Sequence, residues 1–434
     1  MAFAAGVLLG LFLVIYLPGA GHGFIQDDFR WIVESRANDV GDLVALFGTN
    51  TGFYRPVVAI SFALDHLVWG VRPFGYALTN LALCLAAAGV LFGLARRLQL
   101  APAAALAAAA VWLLNFHAVN MAVLWVSGRT ALLAALFSLG TAHAMLRGMP
   151  IGAGILALLA MLSKEEAIAL PILFAAYRLA TERRLRAIVQ TVPLWLALVV
   201  YLALRLQSGA FWPADAPDYY QFSFAPATVA RNVLEYADRA GTAFAIVAIA
   251  CAAAARVRWP GISHDERRVL GFAALWIISM FVLTVLLPVR SSLYALLPSI
   301  GSALIVGVVA SAATRRHPAR FRTAAIALIV LAVALVPVYW SRNVRWVRPA
   351  EVSERALQAI RADAAAQPAG HIVLVDAPAE RFNLDAAFGA LFPEAVRLYG
   401  GDAWTGEIVA NAAEAQRRGD LVYRFSEGQL RRVR

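Results

Sequence analysis

Two adjacent carboxylates, Asp27 and Asp28, stand in GFIQDDFRWI, a few residues after the first apolar run. Further along, cations fall at the edges of other apolar runs: Arg55 ahead of Pro56, Arg129 in WVSGRTALL, Lys164 in LSKEEAIALP and Arg290 in PVRSSLY. His117, Glu165 and Tyr294 occupy the same kind of polar break. A carboxylate can take the proton of a hydroxyl. Arg and Lys neutralise phosphate, Arg as a two-pronged donor and Lys as a point charge. An acid set among such cations suits transfer from a phosphate ester to a hydroxyl: the carboxylate activates or orients the incoming oxygen, and the cations hold the departing phosphate. The acidic pair could instead hold a divalent cation that serves the phosphate, and no other residues are candidates for a metal. Residue type leaves blander roles open too. Lys164 and Glu165 could form a structural ion pair, and His117 could be a satisfied polar residue.

The elements that must position these residues are membrane helices. Of 434 residues, 61% are hydrophobic and 15% charged, against about a quarter charged in a soluble domain. Apolar runs fall at 2–20, 74–95, 101–118, 130–147, 151–163, 165–180, 188–206, 240–256, 269–288, 292–313 and 322–340. A span takes about 20 apolar residues, and in lipid a helix satisfies its own backbone. The sequence therefore predicts an all-α polytopic membrane protein with about eleven spans. The first run lacks a basic leader and a small-residue cleavage site, so it reads as a retained span. The net charge of +11 comes from arginines that punctuate the apolar runs. That pattern signals topology and excludes nucleic acid as the partner. Cys84 and Cys251 lie in apolar stretches and suggest neither a disulfide framework nor a metal site.

With the N-terminus in the cytoplasm and 57–70 lying along the interface, the inside loops hold Arg96/Arg97, Arg147, Arg178/Arg183/Arg184/Arg186, Arg256/Arg258/Arg267/Arg268 and Arg315/Arg316/Arg320/Arg322. The chemistry-bearing residues then all fall in outer loops or at outer helix ends, which predicts a cavity opening outward at the membrane boundary. Residues 151–180 read as two short spans meeting at Lys164 and Glu165, below the outer surface. Arg290 begins an outer helix, where a cation opposes the helix dipole, a placement that favours a phosphate-binding role. The outer loop 208–222, with Trp212, Asp215 and Asp218, could contact the acceptor or cover the site. Residues 1–344 form the expected membrane domain. Residues 345–434 form a small extracytoplasmic α/β module, with strands at 371–378 and 421–425 and a helix over 384–398 interrupted by Pro393.

Five segments carry a family likeness. FIQDDF (24–29) resembles the acidic motif in the first outer loop of C-superfamily (GT-C) glycosyltransferases. YRPVVAISFALDHLVWGVRPFGYALTN (54–80) resembles the following segment of protein O-mannosyltransferases, including the transmembrane tetratricopeptide-repeat kind. WVSGRTALLAALF (125–137), LSKEEAIALP (162–171) and SLYALLPSIG (292–301) are similar to later landmarks of that family, in the same order. The resemblance implies a GT-C-like fold with interfacial helices in the first outer loop. It also implies inverting transfer from a polyprenyl-phosphate sugar, with mannose one candidate, and it places the acidic pair, Asp27 first, at the catalytic centre. The acceptor would be a protein, lipid or glycan, and the site would face the periplasm from the inner membrane. Two features depart from the family. HAVNMAV (117–123) has Ala118 where a His-Pro pair is common, with no acid after it, and the repeat tail is missing. The rival readings are a transporter or flippase for lipid-linked sugars and a non-catalytic glycan-assembly protein. A transporter would show paired repeats and acids in span cores.

Overall fold

The structure is a computed structural model that describes residues 2–48, 50, 52–212, 216–257, 261–364, 369–375, 383–409, 421–426 and 429–433. Asp215, Arg258 and the end of the expected strand, 376–378, lie outside the described residues. The chain begins with α1 (Ala2–Tyr16), and the first long loop carries α2 (Asp27–Glu34), α3 (Val40–Ala45) and α4 (Pro56–Trp69). The bundle continues with α5 (Pro73–Arg97), α6 (Pro102–Leu113), α7 (Ala118–Leu124), α8 (Arg129–Leu146), α9 (Pro150–Met161), α10 (Leu170–Glu182) and α11 (Val192–Ser208). It ends with α12 (Pro226–Ala237), α13 (Ala243–Ala254), α14 (His264–Phe281), α15 (Pro298–Arg316), α16 (Pro318–Ala334) and α17 (Val336–Ala364). Many of these helices open on proline, which loses nothing at a first turn whose N–H has no helical partner. Several close on arginine, which complements the carbonyl end.

Among the described residues, 7 helices are long and apolar enough to span a membrane, or 9 if the bent pairs α6–α7 and α16–α17 each count as one. The other two expected crossings are α9 and α10, of 12 and 13 residues. Each covers only about 20 Å at 1.5 Å per residue, less than the ~30 Å of a hydrocarbon core, and Lys164–Glu166 stand at their junction. The 14-residue α4 is likewise too short to cross. Hydrogen bonds tie the basic helix ends to one another: Arg97 reaches Leu146 O at 3.1 Å, and Arg316 reaches Arg256 O at 3.1 Å. The cavity described below lies at the opposite ends of α8, α9 and α15. Buried α15 is the hub of the bundle, and small residues let its neighbours approach closely. A Cβ on Gly301 would stand 2.6 Å from Ala273 O of α14.

α17 runs unbroken through residues 344 and 345, where the sequence suggests a domain boundary, and carries the chain into the tail. The tail sheet has the order β2-β1-β3-β4, from β1 (Gly370–Val375), β2 (Trp404–Val409), β3 (Leu421–Ser426) and β4 (Gln429–Arg432). β1 is parallel to β2 and β3, and β4 closes one edge antiparallel. The expected helix over 384–398 is two: α18 (Leu384–Phe388) and α19 (Phe392–Gly400). Gly389, at φ 51°, breaks them, and Pro393 starts the second rather than interrupting a single helix. Phe24, Phe29, Ile32 and Phe62 of the first long loop share one hydrophobic core with Leu357, Ile372, Phe388 and Trp404 of the tail. The tail is therefore packed onto the loop that bears the acidic pair.

Candidate active site

Asp27 and Asp28 occupy the first turn of α2, where the exposed N–H groups favour negative charge. Their environments differ sharply. Asp28 is 1% exposed. One of its oxygens accepts the Ile25 N–H at 3.0 Å, and the other accepts the Ser127 N–H at 2.7 Å and the Ser127 hydroxyl. Burial, partly offset by these bonds, pushes the Asp28 carboxyl up to about 7. Asp27 instead opens onto a cavity of about 140 Å³. Burial raises its pKa as well, against the pull of Arg30 and Arg55.

The cavity wall carries Arg30, Arg55, Lys164 and Tyr294, with Phe53, Trp31, Trp125 and Tyr220 as aromatic surfaces and Ser127, Thr130 and Ser291 as hydroxyls. Arg55 caps α4 and is held from behind. Its Nε and Nη2 donate to Glu165 at 3.1 and 2.7 Å, and Glu165 also meets Arg205 at 3.4 Å. Nη1 has no partner among the described residues. Lys164 lies 2.8 Å from Glu166 and 4.8 Å from the centre of the Tyr294 ring. The expected Lys164–Glu165 pair is thus two pairs, Lys164–Glu166 and Arg55–Glu165. Lys164 is extended, at φ −163° and ψ 141°, so the side chains of residues 164 and 165 diverge.

Asp27, Arg55, Lys164 and Tyr294 therefore converge, with Glu165 one bond behind them. The remaining expected site residues lie elsewhere. Arg129 is wholly buried. Its donors go to Asn80 Oδ1, Ser61 O and Oγ, Asp65 and Tyr76 O, which exhausts the five N–H groups of a guanidinium and leaves none for a phosphate. Arg290 is paired with Glu235, beside the cavity residues Val289 and Ser291 but not in the wall. His117 packs on Phe116, faces Arg342 at 3.4 Å and is not in the cavity wall.

Arg30, Tyr220 and Arg205 are additions that the residue patterns did not flag. Arg30 is one helical turn after Asp27, and that i, i+3 spacing was readable. Tyr220 belongs to the stretch 208–222, whose described parts are tied down beside the cavity: Phe211 N–H donates to Gly52 O at 3.0 Å, and Val289 N–H to Tyr219 O at 3.0 Å. Trp212 of that loop rests on Arg205, its ring centre 5.6 Å from the guanidinium, and Asp218 is exposed. Arg205 ends an apolar run, and its sequence context carries no signal. Asp27 is the one acid in the cavity wall, and no group of three His, Cys, Asp or Glu side chains suited to a metal occurs among the described residues.

No known family model matches the chain, and no curated protein does. Solved structures do match. ArnT from Cupriavidus metallidurans in the apo state superposes with a TM-score of 0.59 at 16% identity, over 95% of this chain and 87% of that one. The same protein bound to undecaprenyl phosphate gives 0.53 at 15%, over the same shares. The apo oligosaccharyltransferase of Archaeoglobus fulgidus gives 0.50 at 13%, over 95% of this chain and 65% of that one. At these identities the likeness is one of fold alone, and the shared architecture is the GT-C-like one expected above: a polytopic helical bundle with a small sheet at the C-terminus.

Proposed function

We propose that this chain is a membrane glycosyltransferase, which moves a sugar with inversion from a polyprenyl-phosphate donor to an acceptor hydroxyl at the periplasmic face of the inner membrane. One observation carries the reading: a solvent-reaching carboxylate, Asp27, shares a cavity with the Arg55 and Lys164 cations at the span ends opposite the arginine-rich ends. The GT-C fold supports it, and a structural neighbour has been solved with undecaprenyl phosphate bound.

The Asp27 carboxylate takes the proton of the acceptor hydroxyl, or orients that hydroxyl for attack, a contribution of roughly 10²–10⁴ in rate. The acceptor oxygen forms its bond to the anomeric carbon on the face opposite the phosphate. The bond from that carbon to the phosphate oxygen breaks, and its electron pair leaves with the phosphate. Arg55 Nη1 and Lys164 Nζ neutralise the growing charge from fixed positions, as preorganised donors do in a water-poor site. Arg30 and Arg290 flank this pair. Asp28 holds α2 on Ser127, and Arg129 braces the first outer loop. The donors do not fit a divalent cation: both oxygens of Asp28 are engaged, and cations surround Asp27. Mannose is the first candidate for the sugar, and the acceptor is a protein, lipid or glycan.

The test is release of carrier phosphate by purified protein in lipid vesicles supplied with a panel of polyprenyl-phosphate sugars. Wild-type protein should release carrier from at least one donor, and Asp27→Asn should not, while inserting and purifying normally. A transporter would move the lipid-linked sugar across the vesicle and leave its phosphate bond intact. Equal release by Asp27→Asn would remove the base from the mechanism.

A further inference from the structure

Gln26 has no part in the mechanism above, yet it stands immediately before Asp27 with φ 48° and ψ −123°. Glycine adopts that backbone freely, and a side chain resists it. Strain of this kind persists only where the surroundings over-determine the residue. Here the surroundings belong to the tail. The Gln26 N–H donates to Ala387 O at 2.9 Å, and its Nε2 donates to Ala386 O at 3.2 Å. Both acceptors lie near the end of α18, where carbonyls have no partner within the helix. Along α2, Phe29 stacks on Phe388 at 5.5 Å, Arg30 meets Glu394 at 3.4 Å, and beyond its end Arg36 reaches Leu398 O at 3.0 Å. α2 thus presents three faces to three regions. Asp28 holds the membrane bundle through Ser127, Asp27, Arg30 and Trp31 line the cavity, and Gln26 and Phe29 hold the tail.

We propose that the C-terminal module is a positioning element of the transfer reaction, with Gln26 as the positioning residue through which α18 fixes the Asp27 carboxylate in the cavity. The inference rests on the glycosyltransferase reading. It gives the tail a task inside the reaction centre, separate from any contact with an acceptor. The hold matters because a carboxylate displaced by about 1 Å can lose on the order of 10²-fold in rate.

Three variants test it beside wild type and Asp27→Asn, all in vesicles with the polyprenyl-phosphate donor and carrier-phosphate release as the readout. Gln26→Met keeps the length of the side chain and removes its donor. Gln26→Gly also removes the strain while keeping the backbone N–H, so it should fold at least as well as wild type. Glu394→Gln loosens the tail's hold on Arg30 from outside the cavity. Both Gln26 variants should lower kcat about 10-fold with the donor KM unchanged within about twofold, the pattern of a misplaced reacting group. The acid limb of the pH–rate profile should move with the surroundings of Asp27. Glu394→Gln should lower kcat in the same sense by a smaller factor. A slower enzyme that melts no earlier is the signature a merely structural Gln26 would not give. Wild-type kcat and pH profile in both Gln26 variants, beside a dead Asp27→Asn, would overturn this inference alone. No release by wild type would overturn the glycosyltransferase reading and this inference with it.

Discussion

Two arginine–carboxylate assemblies in this molecule are built of the same parts and finish differently. At one, Arg129 meets Asp65, and every remaining donor is taken by Asn80, Ser61 and Tyr76 under the ring of Phe62. At the other, Arg55 meets Glu165 through Nε and Nη2 and keeps Nη1 for the cavity. Both guanidinium groups are largely enclosed, at 0% and 13% side-chain exposure, so burial does not separate them. What separates them is the donor count. A cation whose donors are all matched is part of the scaffold, while one gripped from behind and open in front is available to a ligand. The two acids of α2 repeat the lesson. Asp28 has both oxygens engaged, and Asp27 faces the cavity.

The open and closed groups part most sharply at Asp27. Asp27→Asn should cut transfer by roughly 10²–10⁴ with insertion and thermal stability preserved, measured by carrier-phosphate release and by melting in detergent. Because burial raises the Asp27 pKa, the base form is lost as pH falls through a value above the usual carboxylate range. The rate should therefore fall on acidification earlier than an ordinary aspartate would dictate. Next in size is Arg129→Met, which strands Asp65 without its partner. It should cost about 3–5 kcal/mol of stability, and adding Asp65→Leu should recover most of that, because a hydrophobic pair can replace a buried ion pair. The recovered double variant should still transfer sugar. A stable but inactive Arg129→Met would return Arg129 to the phosphate. Arg55→Met should do the opposite: leave the fold in place, because Arg205 still neutralises Glu165, and lower kcat/KM by about 10²–10³-fold, the loss of one preorganised donor. Measured donor turnover and melting temperature together sort the two arginines.

That sorting is what the sequence could not do. The spans were legible because lipid demands long apolar helices, and the first loop was legible because its motifs stand in family order. Arg129 reads like a site residue because it opens a span in WVSGRT, but its partners Asn80 and Asp65 lie 49 and 64 positions earlier. Spacing along the chain says nothing about which donors those partners consume. Arg205 was invisible for the same reason, with Glu165 40 positions away. Lys164 carried a signal in plain view: every other one of the 38 basic residues is arginine. A compact point charge where a planar fork would not do is a physical reason for such an exception. In the tail, β1 and β3 are apolar and were expected. β2 hides behind Gly406 and Glu407 in WTGEIV, and β4 is a short polar edge, QLRR, of the kind that discourages further pairing.

The smallest effect belongs to Asp28, and pH isolates it. Its carboxyl titrates at about 7 in the folded protein, against 3.8 ordinarily. Between those values the folded chain holds a proton that the unfolded chain has released. Stability then falls as pH rises, since the slope follows the unfolded minus the folded proton count. Asp28→Asn cannot titrate and can still accept the Ser127 N–H through its amide oxygen. Melting temperatures in detergent from pH 4 to 8 should decline more steeply for wild type than for the variant between about 4 and 7, with every other titrating group common to both. Transfer should change by less than about threefold, because the variant leaves Asp27 and the phosphate cations in place. An unchanged slope would remove the buried proton from the folded state. A loss of transfer as deep as that of Asp27→Asn would place both acids of the pair in the reaction.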